Sequence, residues 1–413
     1  MHDLREVVEG LRDHLARHDK PLSFLFGAGT SSAVNVAPPP KPGAPRLNKP
    51  LIPAVAALTV LCKQAVNALG PDFVSAWKKA EVELAASLPS GPANIELLLS
   101  LVRRKAEAAG PHDMLLGLTP DGLKTMEQVI RGTIAQTVNP SEATIPKRTP
   151  HDDFAAWIQR TTRTQAIEVF TTNYDVLLER ALENAHLPVT DGFVGSYRPF
   201  FRADLIEREE LLPRAPFVRL WKIHGSVNWH LSDGGHTVTR GAVCDSGEMI
   251  FPTHRKYDES RQQPYLALLT RLRTVLNRDD ALLVTSGYSF SDQHINSVIF
   301  SALDTRPRSH VVALIYGELS ATAQLASEAG RRKNLLVLGR NAAVISGQWG
   351  QWRLRDAVDD PTAPFMDLAF DSDAIPAPET PAVTGHFRLG DFVWLAKFLA
   401  AMKSSDALTE NAP

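Results

Sequence analysis

Four short apolar runs, each closed by a polar, mostly glycine-bearing segment, constrain this chain more than any other feature. They read PLSFLF then GAGTS, AIEVF then TTNYD, VRLW then KIHGS, and ALLV then TSGYS. Further β-rich runs, MIFPT, HVVALIYG and NLLVLG, follow in the second half, and helical patterns such as DVLLERALENA and DQHINSVIFSALD alternate with them. Short β-branched strands alternating with helices predict an α/β fold: a Rossmann-like parallel sheet with helices on both faces. In such sheets ligands sit outside the carboxyl ends of the strands, which is where the four polar segments fall.

The rest of the chain reads as additions to that sheet. Residues 3–18 place apolar side chains at helical spacing ahead of the first strand. From 51 to about 163 nearly every segment is helical, as in NIELLLSLVRRKAEAAG and DGLKTMEQVIRGTIAQTV, with breaks at SLPSGPAN and NPSEATIPKRTP. This predicts a helical insertion layer. The Pro-rich stretch 35–50 has no periodicity and reads as a loop over the surface or over a site, long enough for a lid. Another Pro-rich link, AIPAPETPAV, precedes a C-terminal helix, FRLGDFVWLAKFLAAM, whose apolar face needs a partner surface.

Composition narrows the function classes. A formal charge of −2 over 413 residues removes the electrostatic case for non-specific nucleic-acid or membrane-surface binding by this chain. Two cysteines, Cys62 and Cys244, make neither a disulfide framework nor a four-cysteine zinc site. The first 18 residues lack the apolar core of a signal peptide and the longest apolar run, 51–62, is too short to span a bilayer, so a cytoplasmic location is expected.

At the first strand end, Gly27-Ala28-Gly29-Thr30-Ser31 removes two Cβ atoms at a turn into a helix, which lets backbone amides approach a phosphate or ribose. It is neither a complete GxGxxG fingerprint nor a Walker A loop, and a tight turn without a ligand reads equally well. Thr172-Asn173-Tyr174-Asp175 puts an amide and a carboxylate two residues apart at the next strand tip, where either also suits a helix N-cap. His224, before Gly225, is a candidate base at a third strand end, or a packed, hydrogen-bonded histidine. Asp292, ahead of HINSVIF, is a strong cap candidate.

Taken together and in order, GAGTS, TTNYD, KIHGS and VTSGYSFSD resemble the motifs with which sirtuin-like proteins build an NAD pocket. The likeness is closest to the bacterial sirtuin-like defence group, also in Asn94-Ile95-Glu96 with LLLS, in IFPT at 250–253 and in LGDF at 389–392, and it covers roughly residues 20–345. It implies that Gly27, Ala28, Gly29, Thr30 and Ser31 face the dinucleotide with Thr172, Tyr174, Gly225, Gly287, Tyr288, Ser289 and Asp292. It implies that Asn173 holds the attacking water or a ribose hydroxyl, that Asp175 bonds the nicotinamide carboxamide, and that His224 is the base on a ribose hydroxyl. For His294 and Asn296 it implies no defined role.

The departures carry as much information. Sirtuin deacetylases have a four-cysteine zinc module, which this chain lacks, and the Pro-Asp-Phe-Arg segment of their cofactor loop is replaced here by SAVNVAPPPKPGAPR. An NAD pocket without the acetyl-peptide machinery makes water the expected acceptor. Cleaving the nicotinamide–ribose bond expels a neutral leaving group, so orientation, a hydroxyl-directed base and a positioned water suffice.

The resemblance therefore implies an NAD+ glycohydrolase without zinc, acting as the effector of an antiphage system that depletes NAD. Residues 1–345 would be its catalytic domain, with the helical insertion at 51–163, and 346–413 an extension. Control by a partner is expected, with a homo-oligomer and a HerA-type ATPase as the implied assemblies and the 388–403 helix and the 51–163 layer as candidate interfaces. Two other functions stay open: a zinc-free protein deacylase or ADP-ribosyltransferase, and a non-catalytic NAD- or ADP-ribose-sensing scaffold.

Overall fold

A computed structural model describes residues 1–38, 47–87, 94–232, 237–243, 263–353, 364–372 and 385–402. Cys244, the 250–253 segment, the middle of the 35–50 loop, most of the 87–94 break and the Pro-rich link at 374–383 lie outside the described residues.

The central sheet is α/β and mostly parallel, as the alternation predicts. Its strands run in the order His2–Asp3, Gln348–Arg353, Ala342–Ile345, Leu335–Leu338, His310–Leu314, Leu282–Ser286, Leu22–Phe26, Glu168–Thr171, Val218–Lys222 and Val189–Thr190. Every pairing from Leu335–Leu338 to Val189–Thr190 is parallel, and a hairpin at 342–353 adds antiparallel strands at one edge. After Leu22–Phe26 the sheet grows in one direction through Glu168–Thr171 to Val218–Lys222, and from Leu282–Ser286 in the other through His310–Leu314 to Leu335–Leu338. The neighbours Leu22–Phe26 and Leu282–Ser286 form the switch point at which a doubly wound sheet opens a crevice.

Register levels the motif-bearing ends. Phe26 pairs with Ser286 and with Thr171, and Thr171 pairs with Lys222, so the segments beginning at 27, 172, 223 and 287 leave the sheet side by side.

The strands bury both faces, which explains their continuous apolar runs. Alternation sends Phe24 and Phe26 to one face with helices Leu4–Ala16, Pro150–Arg160 and Phe392–Ala401, and Leu25 to the other with Gln263–Leu276 and Gln293–Thr305. The segment 51–163 divides. Helices Val55–Asn67, Pro71–Ser87, Ile95–Ala108 and Pro120–Val138 enclose a separate core around Cys62, Trp77, Leu98 and Ile130, whereas Pro150–Arg160 belongs to the sheet. Its Phe154 stands edge-on to Phe24 and Phe26, at 5.1 and 5.0 Å.

The C-terminal helix meets its partner surface within the chain. Phe392, Leu395, Phe398 and Leu399 are buried in the sheet core, Phe392 packs 5.1 Å from Phe26, and Arg160 donates to the Ala400 carbonyl at 2.8 Å. The apolar stripe that reads from sequence as an interface is thus covered by the helix Pro150–Arg160, and that face is closed to another molecule. No helix among the described residues is long and apolar enough to cross a membrane.

Candidate active site

The crevice at the switch point opens into a cavity of about 350 Å³ between the strand ends and the helical insert. Its two walls differ in chemistry. The sheet side contributes Asn173, Asp175, His224 and Asp292 with the glycine-bearing turns, and the insert contributes Ile52, Val55, Leu58, Leu99, Ile134 and Val138 with one carboxylate, Glu96. Of the residues implied by the sequence, Gly27, Ala28, Gly29, Ser31, Thr172, Asn173, Tyr174, Asp175, His224, Gly287, Tyr288, Ser289 and Asp292 line it; Thr30 and Gly225 stand behind the wall.

The glycines that line the cavity also make a close contact with one another. A Cβ on Gly27 would lie 2.5 Å from the Gly287 carbonyl oxygen, one on Gly29 2.5 Å from the Gly287 Cα, and one on Gly287, at φ +64°, 2.5 Å from the Thr30 nitrogen. The Gly27 and Gly29 amides donate to the carbonyls of Ser286 and Gly287, at 3.1 and 3.0 Å. The missing side chains thus let two backbone turns interlock, and these amides are already bonded. The turn after Gly27 is a single short helix, Ala28–Ser32.

A chain of hydroxyls fixes Asn173. Thr30 donates its proton to the Gly27 carbonyl at 2.9 Å, and Ser31 donates to Asp175 Oδ2 at 2.6 Å. Each hydroxyl oxygen can then only accept from its neighbour, and Asn173 Nδ2 supplies both, at 3.0 and 2.8 Å. The amide is thereby oriented: Oδ1 points away from that bed, buried, and finds no partner among the described residues. An unpaired buried acceptor is costly to keep, which marks it as an atom awaiting a donor. Both Asp175 oxygens are committed within the protein, Oδ1 accepting from the Leu177 amide at 3.1 Å. Its observed work is to set Asn173, in addition to the cap-like bond considered from sequence.

His224 is buried and bonded through Nε2 to Asp292 Oδ2 at 3.0 Å. The other oxygen of Asp292 caps the helix Gln293–Thr305, accepting from the amides of His294 and Ile295 at 2.8 and 3.1 Å. Cap and site residue are therefore one side chain, an oxygen for each role. On the opposite side of the imidazole Glu96 Oε1 lies 3.6 Å from Nδ1. Burial alone would push the histidine down, but the hydrogen bond to Asp292 and the charges of Glu96 and Asp292 lift its pKa to about 9. At neutral pH it is an imidazolium and a donor; the base role implied by the resemblance needs the neutral ring, which prevails only above that value. Tyr174 and Tyr288 beside it are held neutral by burial.

Asn296 is structural: it donates to the Phe290 carbonyl at 2.7 Å and accepts from the Tyr288 hydroxyl at 2.9 Å, bracing the turn that carries Gly287. Among the described residues no group of His, Cys, Asp and Glu is placed to hold a metal ion. The resemblance gives Glu96 no role beyond its place in the Asn94-Ile95-Glu96 triplet; in the structure Asn94 Oδ1 accepts from the Leu97 amide at 3.0 Å and starts the helix that carries Glu96 into the site.

Residues 167–337 match the SIR2-like domain family. SIR2-like domains are in general NAD-utilizing enzymes, and the match suggests an NAD-related function. The matched span contains Asn173, His224, Gly287 and Asp292, and excludes the Gly27–Gly29 turn and the insert that closes the cavity. No curated protein matches the chain.

Proposed function

We propose that this chain is an NAD+ glycohydrolase that releases nicotinamide and ADP-ribose. The observation that carries the reading is the Asn173 carbonyl oxygen, fixed by Asp175 through Ser31, buried without a partner, and lining one cavity with His224 at the switch point of a SIR2-like sheet. An acceptor held this way orients a water for attack on the ribose carbon. The C1′–N bond breaks with its electron pair leaving on nicotinamide, the water oxygen bonds C1′, and the water's second proton passes to solvent, so one proton is released per turnover. The imidazolium of His224 donates to a ribose hydroxyl, and the apolar wall of Ile52, Leu58 and Leu99 takes a flat, neutral leaving group and excludes bulk water. Zinc has no part in this scheme.

The biological setting belongs to the same proposal: an effector of bacterial antiphage defence, cytoplasmic, that kills by NAD depletion and is gated through a homo-oligomer or a HerA-type ATPase partner. The test is release of nicotinamide and ADP-ribose from NAD+, with and without a co-purified partner. Equimolar products without any protein acceptor support hydrolysis; products that require an acylated peptide or protein acceptor support a deacylase or ADP-ribosyltransferase. Tight NAD+ binding without products in any assembly supports a sensing scaffold.

A further inference from the structure

Glu96 comes from a different part of the molecule than the groups it meets. It sits in the first turn of the insert helix Ile95–Ala108, whose Ile95, Leu98, Leu99 and Val102 pack in the insert core that Tyr174, Leu177 and Val227 join from the sheet side, whereas His224 and Asp292 follow strands of the sheet. Its carboxylate nevertheless crosses the seam, lining the cavity, bonding Tyr174 and lying 3.6 Å from His224 Nδ1. That separation is too long for a hydrogen bond and short enough for an ion pair, and Nδ1 is buried with no hydrogen-bond partner among the described residues. Each nitrogen of one buried ring therefore faces a carboxylate, one from the insert and one from the end of a sheet strand.

We propose that Glu96 is a positioning residue of this site, holding the imidazole of His224 against Asp292 with Nδ1–H free to donate into the cavity, so that the helical insert completes a centre the sheet begins. A ribose hydroxyl lying beside Nδ1 and Glu96, within reach of both, accepts from the ring and donates to the carboxylate, which gives the pair one defined hydroxyl to recognise. The kinetic consequence rests on the glycohydrolase reading; the placement of the ring does not.

The groups facing the ring from every side decide its charge. Tyr174 and Tyr265 stand 6.4 and 6.5 Å from it, centroid to centroid, and Tyr288 lies beside Asp292; all three are kept neutral by burial. Arg103, on the helix of Glu96, bonds Glu127 at 2.9 Å. The two carboxylates thus hold the proton on His224 against the effect of burial, and removing one lowers the ring's affinity for it.

The experiment is a pH titration of the chain labelled with 15N-histidine, in wild type, Glu96→Gln and Glu96→Asp, with His224→Gln assigning the signal. The expected result is a fall of about one unit in the His224 midpoint in Glu96→Gln, with Glu96→Asp close to wild type. The alkaline limb of kcat/KM for NAD+ is expected to move down by the same amount. An unchanged midpoint in Glu96→Gln overturns the proposal, and Asp292→Asn, which removes the other carboxylate, confirms that the signal responds to such a loss. A midpoint that moves in a chain that never cleaves NAD+ supports the positioning role and sinks the glycohydrolase reading alone.

Discussion

The strands Glu168–Thr171 and Val218–Lys222 carry buried polar groups at both ends, and the two ends are built on opposite principles. At the start of the strands Glu168, only 1% exposed, accepts from Arg219 at 3.0 Å, from Trp221 Nε1 at 2.8 Å and from Arg271 Nε at 2.8 Å, while Glu209 takes further bonds from Arg219, Arg271 and Arg278. Both Glu168 oxygens are bonded, in a network closed among side chains of this chain. At the finish, Asn173 Oδ1 and His224 Nδ1 are buried with no hydrogen-bond partner among the described residues. Burial and charge are similar; what differs is whether the valences are closed. A closed network fixes the fold, and an open one beside a cavity is a place for a ligand.

The comparison is broken most forcefully from its closed end. Arg271→Met leaves Glu168 charged and short of its partners, with an expected loss of about 3–5 kcal/mol of stability by denaturant unfolding and an unchanged turnover rate per folded molecule. At the open end the weight shifts to activity: Asn173→Ala lowers nicotinamide release about 10²–10³-fold, while the loss of its two Nδ2 bonds, to Thr30 and Ser31, costs a smaller amount of stability, about 1–2 kcal/mol. If the two variants behave alike, the distinction between the ends is wrong.

Gly287→Ala sharpens the account of the glycine turns. The added Cβ meets the Thr30 nitrogen at 2.5 Å and the residue must hold φ +64°, for an expected cost of about 1–3 kcal/mol together with loss of activity. Gly27→Ala, at an extended φ of −110°, isolates the contact: were the glycines there only to admit a phosphate, its stability would be untouched.

The smallest effect is in acid. Burial would raise Glu209, but Arg219 and Arg271 hold it at about 2, below the ordinary carboxylate value. Its contribution is therefore full above that ordinary value and lost as pH falls through about 2. Stability curves of wild type and Glu209→Gln should converge at the acid end and separate above it.

Much of this arrangement is legible in the sequence because strand ends announce themselves: an apolar run stopping at Gly27, Thr172, His224 or Gly287 marks where the chain leaves a buried sheet. The motif order could then be read, and register supplied the rest. Glu96 was hidden because an acidic residue in the first turn of a helix has a sufficient local explanation. The closed network had a visible trace, a glutamate inside the apolar AIEVF run, where an uncompensated charge could not be buried. The small antiparallel sheet of Phe193–Val194, Phe200–Phe201, Trp229–Ser232 and Thr237–Arg240 gave no signal, since strands of two to four residues are too short to show a period. For the C-terminal helix the apolar face was plain, and only the fold could say that Phe26 and Phe154 cover it.

The central claim is that the open end of these strands cleaves NAD+. Its most direct test is a time course of nicotinamide and ADP-ribose release from NAD+ at neutral pH, alone and with a co-purified partner, for wild type and Asn173→Ala, both folded at the assay temperature. Equimolar products from the wild type and almost none from the variant are expected. Undiminished release by the variant, or saturable NAD+ binding with no products from the wild type in any assembly, would contradict it.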